Sequence, residues 1–131
     1  MDKNAKVVAD IYAAFGQGDI AAIVNVVADE VDWNNSKSPE LPYGGHYSDR
    51  AGVQRFFDNI AKAVTVRSFE PKSYATAGDA VFAVGTWAGT AKATGKTFET
   101  DWIMHWIIKN GKVVYLRVYE DTAITAAALR K

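Results

Sequence analysis

The sequence predicts an α+β fold in which a curved antiparallel sheet, shaped like a cone, packs against three N-terminal helices. Apolar residues recur at helical spacing in the first half of the chain and alternate with polar residues in the second half. Three short turn signals, Gly78-Asp79, Thr94-Gly95 and Asn110-Gly111, divide the second half into strands that can form consecutive hairpins. Helices followed by a run of strands are typical of α+β domains.

Each of the three predicted helices begins at a candidate N-cap and carries one apolar stripe. Asp2 is placed to cap a first helix over about Lys3–Phe15, and Asp19 is placed to cap a short second helix. The third helix is predicted to begin near Ser48 or Asp49. These helices together present one apolar surface to the sheet.

The predicted strands follow from the alternation and from the turns between them. A short strand at Val31–Asn34 comes before a loop rich in turn-forming residues at positions 36–45. The four strands of the meander are predicted at about Arg67–Thr76, Ala80–Ala93, Thr97–Lys109 and Lys112–Glu120. The alanine-rich tail at positions 122–129 is compatible with a terminal helical turn or with a frayed end.

Length and composition predict a single domain over residues 1–131 and exclude several classes of function. Fifteen basic and fifteen acidic residues cancel, which argues against a nucleic-acid-binding surface. The absence of cysteine excludes disulfides, thiolate metal sites and cysteine nucleophiles. No apolar run approaches the length of a membrane helix, and the N-terminus lacks a signal-peptide pattern, so we expect no membrane contact and a cytoplasmic location. No histidine and carboxylate spacing indicates a metal, and we expect no cofactor.

The Asn110-Gly111 turn sets a register for the last hairpin. A two-residue loop would place Lys109 opposite Lys112 and would give every second residue of both strands to one face. Applied also to the Thr94-Gly95 turn, this register predicts that one face holds Trp87, Trp102, Trp106, Tyr115, Arg117, Tyr119 and Asp121. The opposite face is then mainly aliphatic and includes His105, which we interpret as a structural residue facing away from any pocket.

Large rings together with a cation and a carboxylate are more typical of a binding pocket than of a dry core, because burying unpaired charge is unfavourable. We therefore predict a pocket for a small apolar or aromatic organic molecule. The alternative is ordinary sheet packing, with Arg117 paired to Asp121 or Glu120 at the surface. The predicted ligand-binding residues are Phe15, Trp33, Tyr43, Phe57, Trp87, Trp102, Met104, Trp106, Arg117 and Tyr119. His46, in the loop after two glycines, could reach the mouth of this pocket.

The order of these elements resembles the nuclear transport factor 2-like superfamily, and within it the SnoaL-like polyketide cyclase and ketosteroid isomerase-related group. The resemblance covers nearly the whole chain. The segments that carry it are Ile11–Phe15, Gly18–Ile20, Ala28–Trp33, Pro42–Gly45, Gly52–Val53, Phe56–Phe57, Asp101–Trp102, Asn110–Val113 and Tyr119–Thr122. It implies a cone whose concave face lines a ligand cavity, and a homodimer.

The resemblance also implies roles for individual residues. Tyr12 falls where ketosteroid isomerases have a tyrosine that stabilises an oxyanion. Asn35 and Met104 fall at or next to the positions of the catalytic base and of the protonated acid, so steroid-type isomerisation is not expected. Polyketide cyclases of the group use an acidic base near the end of the sheet, and Asp121 is the nearest candidate.

Two catalytic residues are therefore predicted, each with an alternative. Tyr12 would donate a hydrogen bond to a ligand oxygen, or would be a core tyrosine with a satisfied hydroxyl. Asp121 would be a general base, or would pair with Arg117 or cap the tail. Arg117 would anchor a ligand carboxylate or pair with Asp121.

Three functions follow from these assignments. The first is a cofactor-free isomerase, cyclase or hydratase that acts next to a carbonyl. The second is a non-catalytic binding domain for a hydrophobic metabolite. The third is a dimeric protein-interaction module, in which the aliphatic face contributes to the dimer contact.

Overall fold

Four aspartates begin the four helices of the computed structural model, which describes residues Met1–Lys131. Asp2, Asp19, Asp49 and Asp121 are the N-caps, and the side chain of each accepts a hydrogen bond from a backbone N–H of the first turn. These N–H groups have no partner within the helix, so the caps explain where each helix begins. The caps predicted at Asp2 and Asp19 are confirmed, and the tail forms a helix.

The helices and strands agree with the predicted order, with one addition. The helices are α1 (Lys3–Gly16), α2 (Ile20–Asn25), α3 (Arg50–Ala63) and α4 (Thr122–Leu129). The strands are β1 (Val27–Asn34), β2 (His46–Asp49), β3 (Val64–Ala77), β4 (Ala80–Ala91), β5 (Thr97–Lys109) and β6 (Lys112–Glu120). Strand β2 was not predicted, because four mostly exposed residues show no alternation of their own.

The six strands form one curved, unclosed sheet in the order β2-β1-β6-β5-β4-β3. Strands β3 to β6 form the predicted antiparallel meander. Strand β1 runs parallel to β6 and brings the first half of the chain to the sheet. The core lies between the inner face of this sheet and helices α1 to α3. None of the helices combines the length and apolar character needed to cross a membrane.

A β-bulge changes the register of the last hairpin. Lys109 lies opposite Lys112 as predicted, but the pairing shifts by one residue between Ile108 and Ile107. Beyond the bulge, Trp106 lies opposite Leu116. The predicted register, continued from Lys109 and Lys112, would place Trp106 opposite Tyr115, so this pairing is wrong. Because side chains alternate between faces, one extra residue moves all of the following β6 side chains to the other face.

The register predicted from the Thr94-Gly95 turn places Trp87 opposite Trp102. The observed register of this hairpin differs from it by two residues, which leaves the faces unchanged. Trp102 lies opposite Gly85, and Trp87 lies opposite Thr100. Trp87, Trp102 and Trp106 therefore share the inner face, as predicted. A Cβ at position 85 would collide with the Trp102 ring and with the Glu70 carbonyl oxygen, so only glycine allows this ring to lie against β4.

Candidate functional site

An apolar cavity lies between the inner face of the sheet and helices α1 to α3. Its volume is about 70 Å³, whereas a single water needs only about 10–15 Å³ on this measure. Sixteen of its 18 lining residues are hydrophobic, and the other two are Asn35 and Glu120. The cavity therefore suits a compact apolar molecule that meets polar groups at few points.

Nine of the twelve residues predicted for the site line this cavity. Two of them come from α1, and the other seven come from β1, the 35–45 loop, α3, β4 and β5. The nine are Tyr12, Phe15, Trp33, Tyr43, Phe57, Trp87, Trp102, Met104 and Trp106. All four tryptophans of the chain are among them.

The predicted inner-face positions of Tyr115, Arg117, Tyr119 and Asp121 are wrong, and the Tyr115 ring lies against His105 on the outer face. The bulge in β6 turns Arg117 and Tyr119 to the outer face, where Arg117 lies 5.2 Å from the centroid of the Tyr119 ring. Asp121 is exposed and caps α4 through a 3.2 Å hydrogen bond from the Ala123 N–H. This capping role is the alternative stated for Asp121. Arg117 forms no ion pair with Asp121 or Glu120.

Two buried hydrogen bonds hold Tyr12 at one end of the cavity. Its hydroxyl accepts a 2.9 Å hydrogen bond from Trp106 Nε1 and donates a 3.3 Å one to Met104 Sδ. Burial raises the pKa of Tyr12 above its usual value, although the Trp106 hydrogen bond opposes the rise. Tyr12 therefore stays protonated. Its proton is held by a thioether, which is a weak acceptor, and a ligand oxygen could replace that sulfur.

Glu120, the last residue of β6, is the carboxyl group of the cavity. Trp87 Nε1 donates a 2.9 Å hydrogen bond to Oε2, whereas Oε1 is buried and has no partner. Burial raises the pKa of the Glu120 carboxyl above its usual value; the Trp87 hydrogen bond lowers it, and the charge of Asp121 adds to the rise. Such a carboxyl, held at one oxygen and open at the other, has the properties of a general base.

Other buried polar atoms near the cavity also lack partners. The Tyr43 hydroxyl is one of them, and the Thr125 hydroxyl lies beside it without a well-aligned hydrogen bond. Burial and the neighbouring Glu120 charge raise the pKa of Tyr43, so its hydroxyl stays protonated. The indole N–H groups of Trp33 and Trp102 are likewise unpartnered. Unsatisfied buried donors are uncommon in proteins, and here they surround a cavity.

The positions of Asn35 and Met104 follow the expectations from the family resemblance. Both residues line the cavity, as the corresponding acids would. The Asn35 side-chain oxygen accepts a 2.6 Å hydrogen bond from the Ser36 N–H, which leaves its amide N–H₂ as a donor. Neither residue can take up a proton near neutral pH. Any base in this cavity must therefore come from elsewhere, and Glu120 is the group available.

His105 lies on the outer face, as predicted, with its ring stacked 4.6 Å from the centroid of Phe82. Glu120 was not predicted as a lining residue, because the bulge that turns it to the inner face has no local signal in the sequence. Phe69 of β3, whose ring stacks on Trp102 at 4.9 Å, was not predicted either. Phe69 and Tyr74 are the two aromatic residues of β3, and their presence among smaller and charged residues was the available signal for Phe69.

Comparisons with known proteins agree with this architecture. A family model described as SnoaL-like domain matches residues 8–116. The chain is 30% identical to an NTF2-like protein from Burkholderia thailandensis, with both chains fully covered and a TM-score of 0.90. It is also 30% identical to an NTF2-like protein from Burkholderia xenovorans, over 97% of this chain and 95% of that one, with a TM-score of 0.86.

A third solved structure shares the fold at lower identity. TerC, co-crystallised with polyporic acid, is 22% identical over 99% of this chain and 100% of its own, with a TM-score of 0.88. Among proteins of curated function, none matches this sequence.

Proposed function

We propose that this chain, which belongs to the SnoaL-like domain family, binds a small apolar carbonyl compound in its cavity and moves a proton on it through Glu120. The aromatic lining supports a ring-shaped or otherwise flat ligand, because stacked and edge contacts suit such shapes. The complex of TerC with polyporic acid supports an organic ligand in this fold. The single observation that carries the proposal is the buried, unpartnered Oε1 of Glu120.

The proposed step is proton transfer at a carbon next to the carbonyl. Glu120 Oε1 takes the proton, and the electron pair of the broken C–H bond moves into an enolate. Tyr12 donates its hydroxyl proton to the enolate oxygen in a hydrogen bond, in exchange for Met104 Sδ. Return of the proton to a different carbon completes an isomerisation. In a cyclisation, the enolate carbon would instead attack a second carbonyl group, whose π electrons move to its oxygen, and that oxygen would take the proton from Glu120.

Hydrogen–deuterium exchange tests this step without knowledge of the natural substrate. Phenylacetone in deuterium oxide exchanges the protons next to its carbonyl, and proton NMR measures the rate. We expect the protein to accelerate the exchange and Glu120→Gln to remove about 100-fold or more of the acceleration. Glutamine keeps the shape of the side chain and an oxygen that accepts from Trp87.

Asp121→Asn is the matched control, because Asp121 is the adjacent carboxylate and lies outside the cavity. It should change the exchange rate far less than Glu120→Gln does, because it removes only a charge that adds to the raised pKa of Glu120. A loss of exchange in Asp121→Asn together with normal exchange in Glu120→Gln would refute the assignment. Folding of both variants is checked by circular dichroism.

A non-catalytic binding domain is the second candidate function. The observation that favours it is the absence of an acid at Asn35 and Met104, together with the satisfied hydroxyl of Tyr12. In this case phenylacetone would quench tryptophan fluorescence on binding, but its exchange rate would equal that of the solution without protein.

We also propose a homodimer formed through the outer face of the sheet. Ile103 and Tyr119 are each 48% exposed there, and Phe82 and Val84 are each 37% exposed. An exposed apolar patch of neighbouring strands is typical of a protein interface. Sedimentation equilibrium at micromolar concentration should give a dimer that Ile103→Lys converts to a monomer. A monomeric wild-type protein would contradict this proposal.

A further inference from the structure

A second, polar concavity lies directly outside the apolar cavity, and we refer to it as the vestibule. Strand β1 ends at Asn34, which pairs with Arg117, whereas β6 continues to Glu120. The vestibule occupies the gap between this free edge of β6 and the chain after Asn34, with a volume of about 300 Å³. It shares Asn35, Val118 and Glu120 with the cavity. A single ligand can therefore occupy both spaces.

The charges of the vestibule are mainly positive. Lys37, His46 and Arg117 line it, and Glu120 is its one carboxyl group. Lys37 and Arg117 form no ion pair, although their chain has equal numbers of acidic and basic residues. His46 is held by Asp32 at 2.7 Å. Two cations without an ion pair therefore line a polar concavity next to the apolar cavity, and Arg117 also lies over the Tyr119 ring.

Glu120 lies at the neck between the two spaces, with Oε2 held by Trp87 on the cavity side. A ligand that reaches from the cavity into the vestibule would lie against the residues that the two spaces share, and Glu120 is the one with a carboxyl group. The reacting carbon of such a ligand would then lie between the apolar part in the cavity and the polar group in the vestibule. Arginine suits a carboxylate at that place, because its guanidinium group can form two parallel hydrogen bonds to the two oxygens.

We propose that the ligand is an amphipathic carboxylate, with its apolar body in the cavity and its carboxylate in the vestibule, bound by Arg117 and assisted by Lys37. This inference rests on the proposed function, since it uses the same cavity and names the class of compound that fills it. The carbon next to the carbonyl lies between the two ends of such a molecule and beside Glu120. Arg117 is then a binding residue that acts from outside the cavity.

A matched pair of probes separates the contribution of the charge from that of the apolar body. Hydrocinnamate carries a phenyl ring and a carboxylate, and hydrocinnamamide replaces the carboxylate with a neutral amide of nearly the same shape. Quenching of tryptophan fluorescence reports binding, because all four tryptophans line the cavity. We expect the wild-type protein to bind hydrocinnamate about tenfold more tightly than hydrocinnamamide.

Variants of two arginines locate the charge effect. Arg117→Gln should weaken hydrocinnamate about tenfold and leave hydrocinnamamide unchanged, and Arg117→Lys should restore part of the loss. Arg67→Gln is the control, because Arg67 is also exposed and free of ion pairs but lies on β3, at the opposite edge of the sheet. It should change neither affinity.

Three other outcomes would overturn the inference. Equal affinities of the two probes for the wild-type protein would overturn the carboxylate inference and leave the proposed cavity function intact. Equal losses in Arg117→Gln and Arg67→Gln would overturn it too, since the attraction would then come from the overall field. Failure of both probes at millimolar concentration would overturn the cavity function and the inference together.

Discussion

Two parts of the cavity lining, the surroundings of Tyr12 (the α1 end) and the surroundings of Glu120 (the β6 end), both contain aromatic rings but differ in how their buried polar atoms are satisfied. At the α1 end, Tyr12 joins Trp106 and Met104 through hydrogen bonds of 2.9 and 3.3 Å. At the β6 end, only Trp87 donates to Glu120, and Glu120 Oε1 and the Tyr43 hydroxyl have no partner. An unsatisfied buried polar atom costs about 1–3 kcal/mol, so a fold that keeps several of them in one place has another use for them.

This difference indicates that the two ends have different roles, one mainly structural and one in ligand binding. At the α1 end the rings pack closely and the Tyr12 hydroxyl both accepts and donates a hydrogen bond, so we expect this end to support the fold. We propose that a ligand completes the β6 end, because Glu120 Oε1 and the Tyr43 hydroxyl have no protein partner. Substitutions at the α1 end should therefore lower stability most, although Tyr12 also serves the proposed step, and substitutions at the β6 end should affect function more than stability.

The largest effect is expected from Trp106→Ala at the α1 end. It removes a ring that packs on Tyr12 at 5.8 Å and on Trp33 at 5.7 Å, and it leaves a cavity. We expect a loss of about 3–5 kcal/mol in the free energy of unfolding, measured by urea denaturation. A loss below about 1 kcal/mol would show that this end does not support the fold.

A paired test of two tyrosine hydroxyls compares the ends directly. Tyr12→Phe leaves the buried Trp106 N–H without an acceptor, and should lower the free energy of unfolding by about 1–3 kcal/mol. Tyr43→Phe removes a hydroxyl that has no partner, and should be neutral or slightly stabilising. Urea denaturation of both variants measures the difference. Equal losses would remove the contrast between the ends.

The smallest effect is expected in the pH dependence of stability at the β6 end. The folded state raises the pKa of Glu120 above its usual value of 4.5, so it binds a proton more tightly than the unfolded chain does. Stability should therefore fall as the pH rises from about 4.5 through the folded pKa. Glu120→Gln should remove this part of the pH dependence, as thermal unfolding between pH 4 and pH 8 would show. An unchanged pH profile in that variant would contradict the shift.

Most of the secondary structure could be predicted, because its signals are local. Each aspartate N-cap acts on the first turn of its own helix, and Asn110-Gly111 favours a tight hairpin wherever it occurs. Asn110 indeed has a positive φ of 52°. Strand β2 could not be predicted, since its four residues become a strand only by pairing with β1. The same holds for the first half of β1, which pairs with β6 and β2.

The aromatic walls of the candidate site could be predicted from the sequence, but its carboxyl group, that of Glu120, could not. The error of two residues in the β4–β5 hairpin left Trp87 and Trp102 on the inner face, because alternation repeats every second residue. The bulge in β6 shifted the register by one residue, which exchanged the faces of Glu120 and Tyr119. The rings from α1, β1, α3 and the loop do not depend on that register, so they stayed in the predicted cavity.

The sequence by itself determined the helices, the four-stranded meander, the aromatic cavity and the family resemblance. Each of these depends on local preferences or on a pattern repeated along the chain. Only the tertiary structure decided which acidic residue of the pair Glu120–Asp121 faces the cavity. A bulge is accepted where β6 must fit β5 on one side and β1 on the other, and that double fit exists only when all three strands are assembled.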